Sequence, residues 1–304
     1  MIVYSSADII LLSRLQSIKT GGAWRGARIV LTLMCATPGE LERLLPLLDD
    51  VRDERSPQGM RVVVGRTDTG DVLGISTGVG KVAAAAGTRF ILDRYQPQAI
   101  LIWGTAGALS PELKVGDLVI SSELLPGDTG IAHSEGFDNT GPGLCEDGRL
   151  LFHRSFHAPP ALVERACAAA EAAGLDYRVG RLLTCDQVVL DPVLREHLRS
   201  SFDALAVEME GAAAAQVALG EDLPAVAVRA ISDEVSHDFV GLEGTLQYKG
   251  QARRNVWGRR FRLAVSDPSA IARARELMRG MDTAHESAAS FLQAFLAGAG
   301  TNSS

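Results

Sequence analysis

Short, nearly continuous apolar runs recur along this chain and alternate with segments of helical period. The clearest runs are Ile29–Met34, Val72–Ser76, Ala99–Trp103 and Ala225–Val228. Each is too short for a buried helix and suits a strand covered on both faces. Between them, Glu40 opens a segment with leucines at 41, 44, 45 and 48, which is a helical spacing. Further helices are predicted over 81–94, 160–173, 191–200 and 209–219, with a last one from Pro268 to about Ala297. Gly174 stops the alanine-rich one, and Pro268 begins the last. Weaker strands are expected at 61–65, 117–121, 178–184 and 204–207, and the polar stretches 122–158 and 234–262 carry no clear period. This alternation predicts an α/β fold: a single domain over 27–298 with a mixed central β-sheet flanked by helices. Residues 1–26 read as an N-terminal extension and 299–304 as a tail.

Composition narrows the function classes. The chain has 304 residues, enough for one large core, and a formal charge of -7. With no basic face, nucleic acid is not the expected partner. No run reaches the roughly 18 apolar residues of a membrane span. The apolar patch Ile9–Leu12 is bracketed by Asp8 and Arg14, which makes a poor signal peptide. Four cysteines (Cys35, Cys145, Cys167, Cys185) form no CxxC pair, which fits a reducing cytoplasm and no zinc site.

Four segments could carry chemistry. Thr77-Gly-Val-Gly-Lys-Val-Ala83 joins a strand to a helix and formally matches a dinucleotide turn, but no acidic residue ends the next strand to hold a ribose. Val82 follows the lysine where a Walker loop needs Ser or Thr. The stretch is a tight turn between backbones or a turn that approaches a small ligand. Gly104-Thr105-Ala106-Gly107 ends an apolar strand, where glycines let backbone amides face a crevice. Glu208 and Glu210 flank Met209 amid apolar residues. Acids there complement a helix dipole or serve a pocket. Arg229 and Asp233 follow another apolar run. They form an ion pair, or Asp233 is a general acid in a dry site.

Taken in order, these segments resemble the nucleoside phosphorylase and nucleosidase superfamily, and within it the methylthioadenosine/S-adenosylhomocysteine nucleosidases, over residues 28–240. The residues carrying the resemblance are Ser76–Lys81, Gly104–Ala108 with Lys114–Leu118, Val207–Gly211 and Arg229–Asp233. The resemblance implies hydrolysis of the N-glycosidic bond of an adenosine-type purine nucleoside. Asp233 is then the general acid at purine N7, oriented by Ser232, and Arg229 supports the acidic pair. Glu210 accepts from the ribose hydroxyls, Met209 packs under the sugar, and Glu208 assists in the same pocket. Thr77, Thr105, Ala106 and Gly107 are expected at the substrate. Glu40 aligns with the glutamate that holds the attacking water, although an ordinary first-turn helix acid would look the same. Relatives often place an aromatic over the base in the segment Thr184–Val189; this chain offers Val188. No cofactor or metal is implied, and the six histidines form no zinc spacing. Homo-oligomers, dimers foremost, are the expected assembly. A phosphate-dependent phosphorylase and a silent nucleoside binder are the alternatives, with a dinucleotide oxidoreductase well behind.

Overall fold

The computed structural model describes residues 29–134, 136–239 and 268–298. The extension 1–26, most of the polar stretch 234–262 and the tail 299–304 lie outside the described residues.

Strand β1 (Ile29–Cys35) leads through Thr37 into helix α1 (Pro38–Leu44). Edge strands β2 (Asp49–Arg55) and β3 (Arg61–Thr67) precede β4 (Gly70–Ser76), helix α2 (Lys81–Tyr95) and β5 (Ile100–Ala108). Next come β6 (Leu118–Pro126), four short strands β7 (Gly130–His133), β8 (Gly136–Asn139), β9 (Gly143–Glu146) and β10 (Arg149–Phe152), then β11 (Phe156–His157) and α3 (Pro160–Ala172). The rest comprises β12 (Tyr177–Thr184), α4 (Pro192–Phe202), β13 (Ala206–Glu208), α5 (Gly211–Leu219), β14 (Ala225–Asp233) and α6 (Pro268–Ala297).

Ten strands form one mixed sheet in the order β11-β6-β12-β13-β5-β1-β4-β3-β2, and β14 bridges β5 and β6. The pairings β5–β14, β14–β6, β6–β12, β12–β13 and β13–β5 therefore close a ring at the centre of the molecule. Alternation along the strands builds two cores. Ile100, Ile102, Ala225 and Ala227 face α2 and α5, through Ile91, Tyr95 and Ala212–Ala218. Leu101, Trp103, Val226 and Val228 face α1, α3 and α6, through Leu41, Ala166, Phe291 and Phe295. Each large side chain so buried contributes about 1.5–3 kcal/mol.

Several boundaries differ from the sequence expectation. Helix α1 ends at Leu44, because a 3-10 turn at Leu45–Leu47 containing Pro46 breaks the period, and Leu48 is extended. The run expected to stop at Trp103 continues to Ala108, since Gly104–Gly107 pairs with Arg229–Asp233 of β14. Those glycines lie in a strand ladder, not in an open loop. The 122–158 stretch is also ordered: β6 runs to Pro126, and β7–β8 and β9–β10 are antiparallel hairpins. Their side chains are largely exposed on both faces, so no alternation marks them. Strand β2, a charged edge run, gave no apolar signal at all.

Candidate active site

Strand directions bring the marked segments to one place. Strands β1, β4, β5 and β14 run parallel and finish at the same end of the sheet. Strand β13 runs antiparallel to β5, pairing Ala206 with Ala108 and Val207 with Gly107. It therefore carries Glu208 and Glu210 back along β5 towards Gly104, while β14 carries Asp233 forward to Gly107. Ligands of open α/β sheets bind outside such strand ends.

Around Gly104, charge is concentrated. This glycine has φ 148°, and a Cβ there would stand 2.6 Å from Arg229 Nη1 and 2.7 Å from Glu40 Oε1. Arg229 is buried. It donates to Glu208, to Glu210 Oε2 at 3.2 Å and to the Trp103 carbonyl at 3.2 Å. Burial by itself lowers the Arg229 guanidinium, but Glu208, Glu210 and Glu40 outweigh it and raise it.

The three glutamates differ in their partners. Glu208 accepts from Thr184 Oγ1 and from the amides of Glu210 (3.0 Å) and Gly211 (2.8 Å). It is thereby spent on the first amides of α5 and on Arg229, the helix-terminus role for an anion. Its side chain has no exposed surface. Glu40 Oε2 accepts from the amides of Ala36 (3.1 Å) and Thr37 (2.8 Å) and from Thr37 Oγ1 (3.0 Å). Thr37 Oγ1 in turn accepts from the Glu40 amide, completing a capping box for α1. This leaves Oε1 directed at Gly104. Among the described residues, Glu210 accepts from the Gly80 amide (2.9 Å) and takes a share of Arg229. Burial raises its pKa; Arg229 opposes this, Glu208 and Glu40 add to it, and the result is about 7. All three carboxylates are buried around one guanidinium, and Glu210 accepts from fewer donors than Glu40 or Glu208, so burial of its charged form is the least compensated.

Asp233 lies farther along β5. A Cβ on Gly107 would stand 3.1 Å from its Oδ2. Ser232 Oγ donates to Asp233 Oδ1 at 2.5 Å and lies 3.2 Å from the Ala106 carbonyl. The ion pair considered for Arg229 and Asp233 does not form: four residues along a strand span about 13 Å. Asp233 instead pairs with Arg195 of α4, a buried residue absent from the sequence-predicted set. The sign was there: Arg195 shares a helical face with Leu198 and Phe202, at i, i+3 and i+7, where an apolar residue is expected.

The other marked residues frame this strip. Thr105 and Met209 are half-buried and Ala106 is buried. Thr77 packs under α2, where a Cβ on Gly87 would come within 2.3 Å of its Cγ2, and its Oγ1 donates to the Gly78 carbonyl at 3.0 Å. The Gly78–Gly80 turn thus presents an amide to Glu210. Asp186 Oδ1 accepts from the Lys81 amide at 2.8 Å, and Asp128, which Lys81 Nζ engages, accepts from the Asp186 amide at 2.8 Å. These bonds tie the turn to the segment carrying Val188, which is 62% exposed. Cys35, beside Glu40, has a thiol pushed well up by burial first and by that glutamate second, so it stays neutral. Among the described residues no group of His, Cys, Asp and Glu is placed to hold a metal ion.

An α/β sheet with carboxylates gathered at glycine-bearing strand ends marks a class, and the chain belongs to the phosphorylase superfamily, whose family model matches residues 30–255. Within that superfamily it is similar to the 5′-methylthioadenosine/S-adenosylhomocysteine nucleosidases. The nucleosidase of Geobacillus thermodenitrificans (strain NG80-2) is 36% identical over 206 residues, 66% of this chain and 84% of that protein. The nucleosidase of Marinomonas sp. (strain MWYL1) is 35% identical, over 67% of this chain and 85% of its own length. Among solved structures, the S. pneumoniae nucleosidase with a transition-state inhibitor superposes with a TM-score of 0.66 at 25% identity, covering 88% of this chain and 98% of that one.

Proposed function

We propose that this chain hydrolyses the N-glycosidic bond of a 5′-substituted adenosine, with 5′-methylthioadenosine or S-adenosylhomocysteine as the first candidates. The observation that carries the proposal is the spacing of carboxylates along β5. Glu40 and Glu210 stand at Gly104 and Asp233 at Gly107, about 10 Å along the strand. That is the order of separation by which inverting glycosidases fit a water and the scissile bond between acid and base.

The roles follow from chemistry. The C1′–N9 bond breaks and its electron pair goes to the purine. Asp233 gives its proton to N7, so the base departs neutral. Water adds its oxygen to C1′ and passes a proton to Glu40. Exchange with solvent restores both acids. Glu210 accepts hydrogen bonds from the ribose hydroxyls and stabilises the oxocarbenium charge that develops on the sugar. Met209 packs under the ribose, Thr105, Ala106 and Gly107 form the floor, and Val188 lies towards the base.

Water rather than phosphate is supported by the cations. Arg229, Arg195 and Lys81 are each already engaged by carboxylates, and a phosphate dianion needs fixed positive charge. The test is release of adenine from 5′-methylthioadenosine with and without inorganic phosphate. Equal release in both confirms hydrolysis. Release only with phosphate makes the chain a phosphorylase and removes Glu40 from its role. No release from any 5′-substituted adenosine refutes the substrate class.

We also propose a cytoplasmic homo-oligomer. Four free thiols fit that compartment, and no described helix is long and apolar enough to cross a membrane. Exposed Ile131, Phe137, Leu150 and Phe152 on the β7–β10 hairpins supply apolar surface for a second copy. Sedimentation of a strict monomer would overturn this.

A further inference from the structure

We infer that Arg195 is a positioning residue for the reaction, holding the Asp233 carboxyl against the purine and clamping the 185–190 segment beside it. The inference rests on the proposed role of Asp233 as proton donor.

The terminal torsion of an aspartate is soft, so a carboxyl held at one oxygen can still swing. Here both oxygens are held: Oδ1 by Ser232 Oγ at 2.5 Å and Oδ2 by Arg195 Nη2. The guanidinium is itself immobile. Its Nε and Nη2 donate to the Val189 carbonyl at 3.1 and 2.8 Å, and its Nη1 donates to the Glu234 carbonyl at 2.9 Å. One planar group thus joins the end of β14, the carboxyl of Asp233 and the segment that carries Val188. The pair sits over Gly107, where a Cβ would stand 3.1 Å from Asp233 Oδ2 and 3.7 Å from Arg195 Nη2. A lysine carries its three N–H donors on a single tetrahedral nitrogen and cannot hold three acceptors in a plane.

Burial sharpens the point. The Arg195 side chain is 1% exposed and that of Asp233 9%. A staple for α4 alone would be better served by an apolar residue, since buried ion pairs stabilise little beyond well-packed hydrophobic ones. What the pair supplies is a fixed position for the carboxyl, and a displacement of about 1 Å costs on the order of 10²-fold in rate.

The experiment uses two substrates of the full chain. 5′-Methylthioadenosine needs a proton at N7, whereas 4-nitrophenyl 5-methylthio-β-D-ribofuranoside expels a phenolate that needs none. Arg195→Gln is expected to lower kcat on the adenosine by about 10²-fold, with KM and the nitrophenyl rate within about three-fold of wild type. The double variant with Asp233→Asn is expected to lose no more than Asp233→Asn alone, because both act through one group. Should Arg195→Gln fail to melt cooperatively, Arg195→Lys carries the same comparison. Equal losses on both substrates, multiplying losses in the double variant, or wild-type turnover of the adenosine would each overturn the inference. Wild-type enzyme that releases no adenine would instead overturn the proposed function, and the inference with it.

Discussion

Replacing Glu210 by Gln is expected to remove a pH dependence of stability that runs opposite to ordinary acid denaturation. Glu210 is 5% exposed and its pKa is raised from 4.5 to about 7, by burial first and by Glu208 and Glu40 against the pull of Arg229. Between those two values the folded chain binds more protons at this site than the unfolded chain does. Stability contributed by the site is therefore fully present below about pH 4.5 and declines as pH rises towards 7. A shift of that size corresponds to about 3 kcal/mol, at roughly 1.4 kcal/mol per pKa unit. Gln cannot titrate and keeps an acceptor for the Gly80 amide. Urea unfolding of both proteins at intervals from pH 4.5 to 8 reads the difference directly. The wild-type minus variant stability should fall by about 3 kcal/mol across that range. A difference that stays flat, or rises with pH, would refute the placement of the proton on Glu210.

Two further outcomes follow from the same cluster. Glu40→Gln keeps an oxygen for the Ala36 and Thr37 amides, so the cap of α1 and ligand affinity should survive while hydrolysis falls by about 10²-fold or more; calorimetric titration with the nucleoside and an adenine assay separate the two, and unchanged turnover would remove Glu40 from water activation. Gly104→Ala places a methyl within 2.7 Å of both Arg229 and Glu40 at φ 148°, and it should cost about 2–5 kcal/mol from strain and overpacking together; a melt shifted by less than one degree would show that the cluster yields easily.

Much of the scaffold was legible because burial leaves a pattern. Ile29–Met34, Ala99–Trp103 and Ala225–Val228 are apolar on both faces, and only a strand between helix layers requires that. Strand β2 was invisible because its seven residues, DDVRDER, lie at an exposed edge, where charge guards against pairing. The β7–β10 hairpins were missed because Ile131, Leu150 and Phe152 point into solvent, so no face alternates.

At the site, residue types alone marked Glu208, Glu210, Arg229 and Asp233, since acids and bases amid apolar runs need a partner or a task, whereas Glu40 was marked only by the resemblance. Their partition was not marked. Glu208 and Glu210 are two residues apart, yet the turn into α5 sends one to the helix amides and the other to Gly80 and Arg229. Arg229 and Asp233 share the same short segment but stand too far apart along β14 to meet, and Asp233 takes Arg195 from 38 residues earlier. Local sequence thus determined the alternation of strand and helix and the chemistry stored at the strand ends, because both depend on short-range periodicity and on the cost of burying charge. Which carboxylate keeps a proton, which one caps a helix and which arginine holds the acid were decided only when antiparallel β13 and parallel β14 brought distant segments together, since the energy of a buried charge is set by neighbours in space.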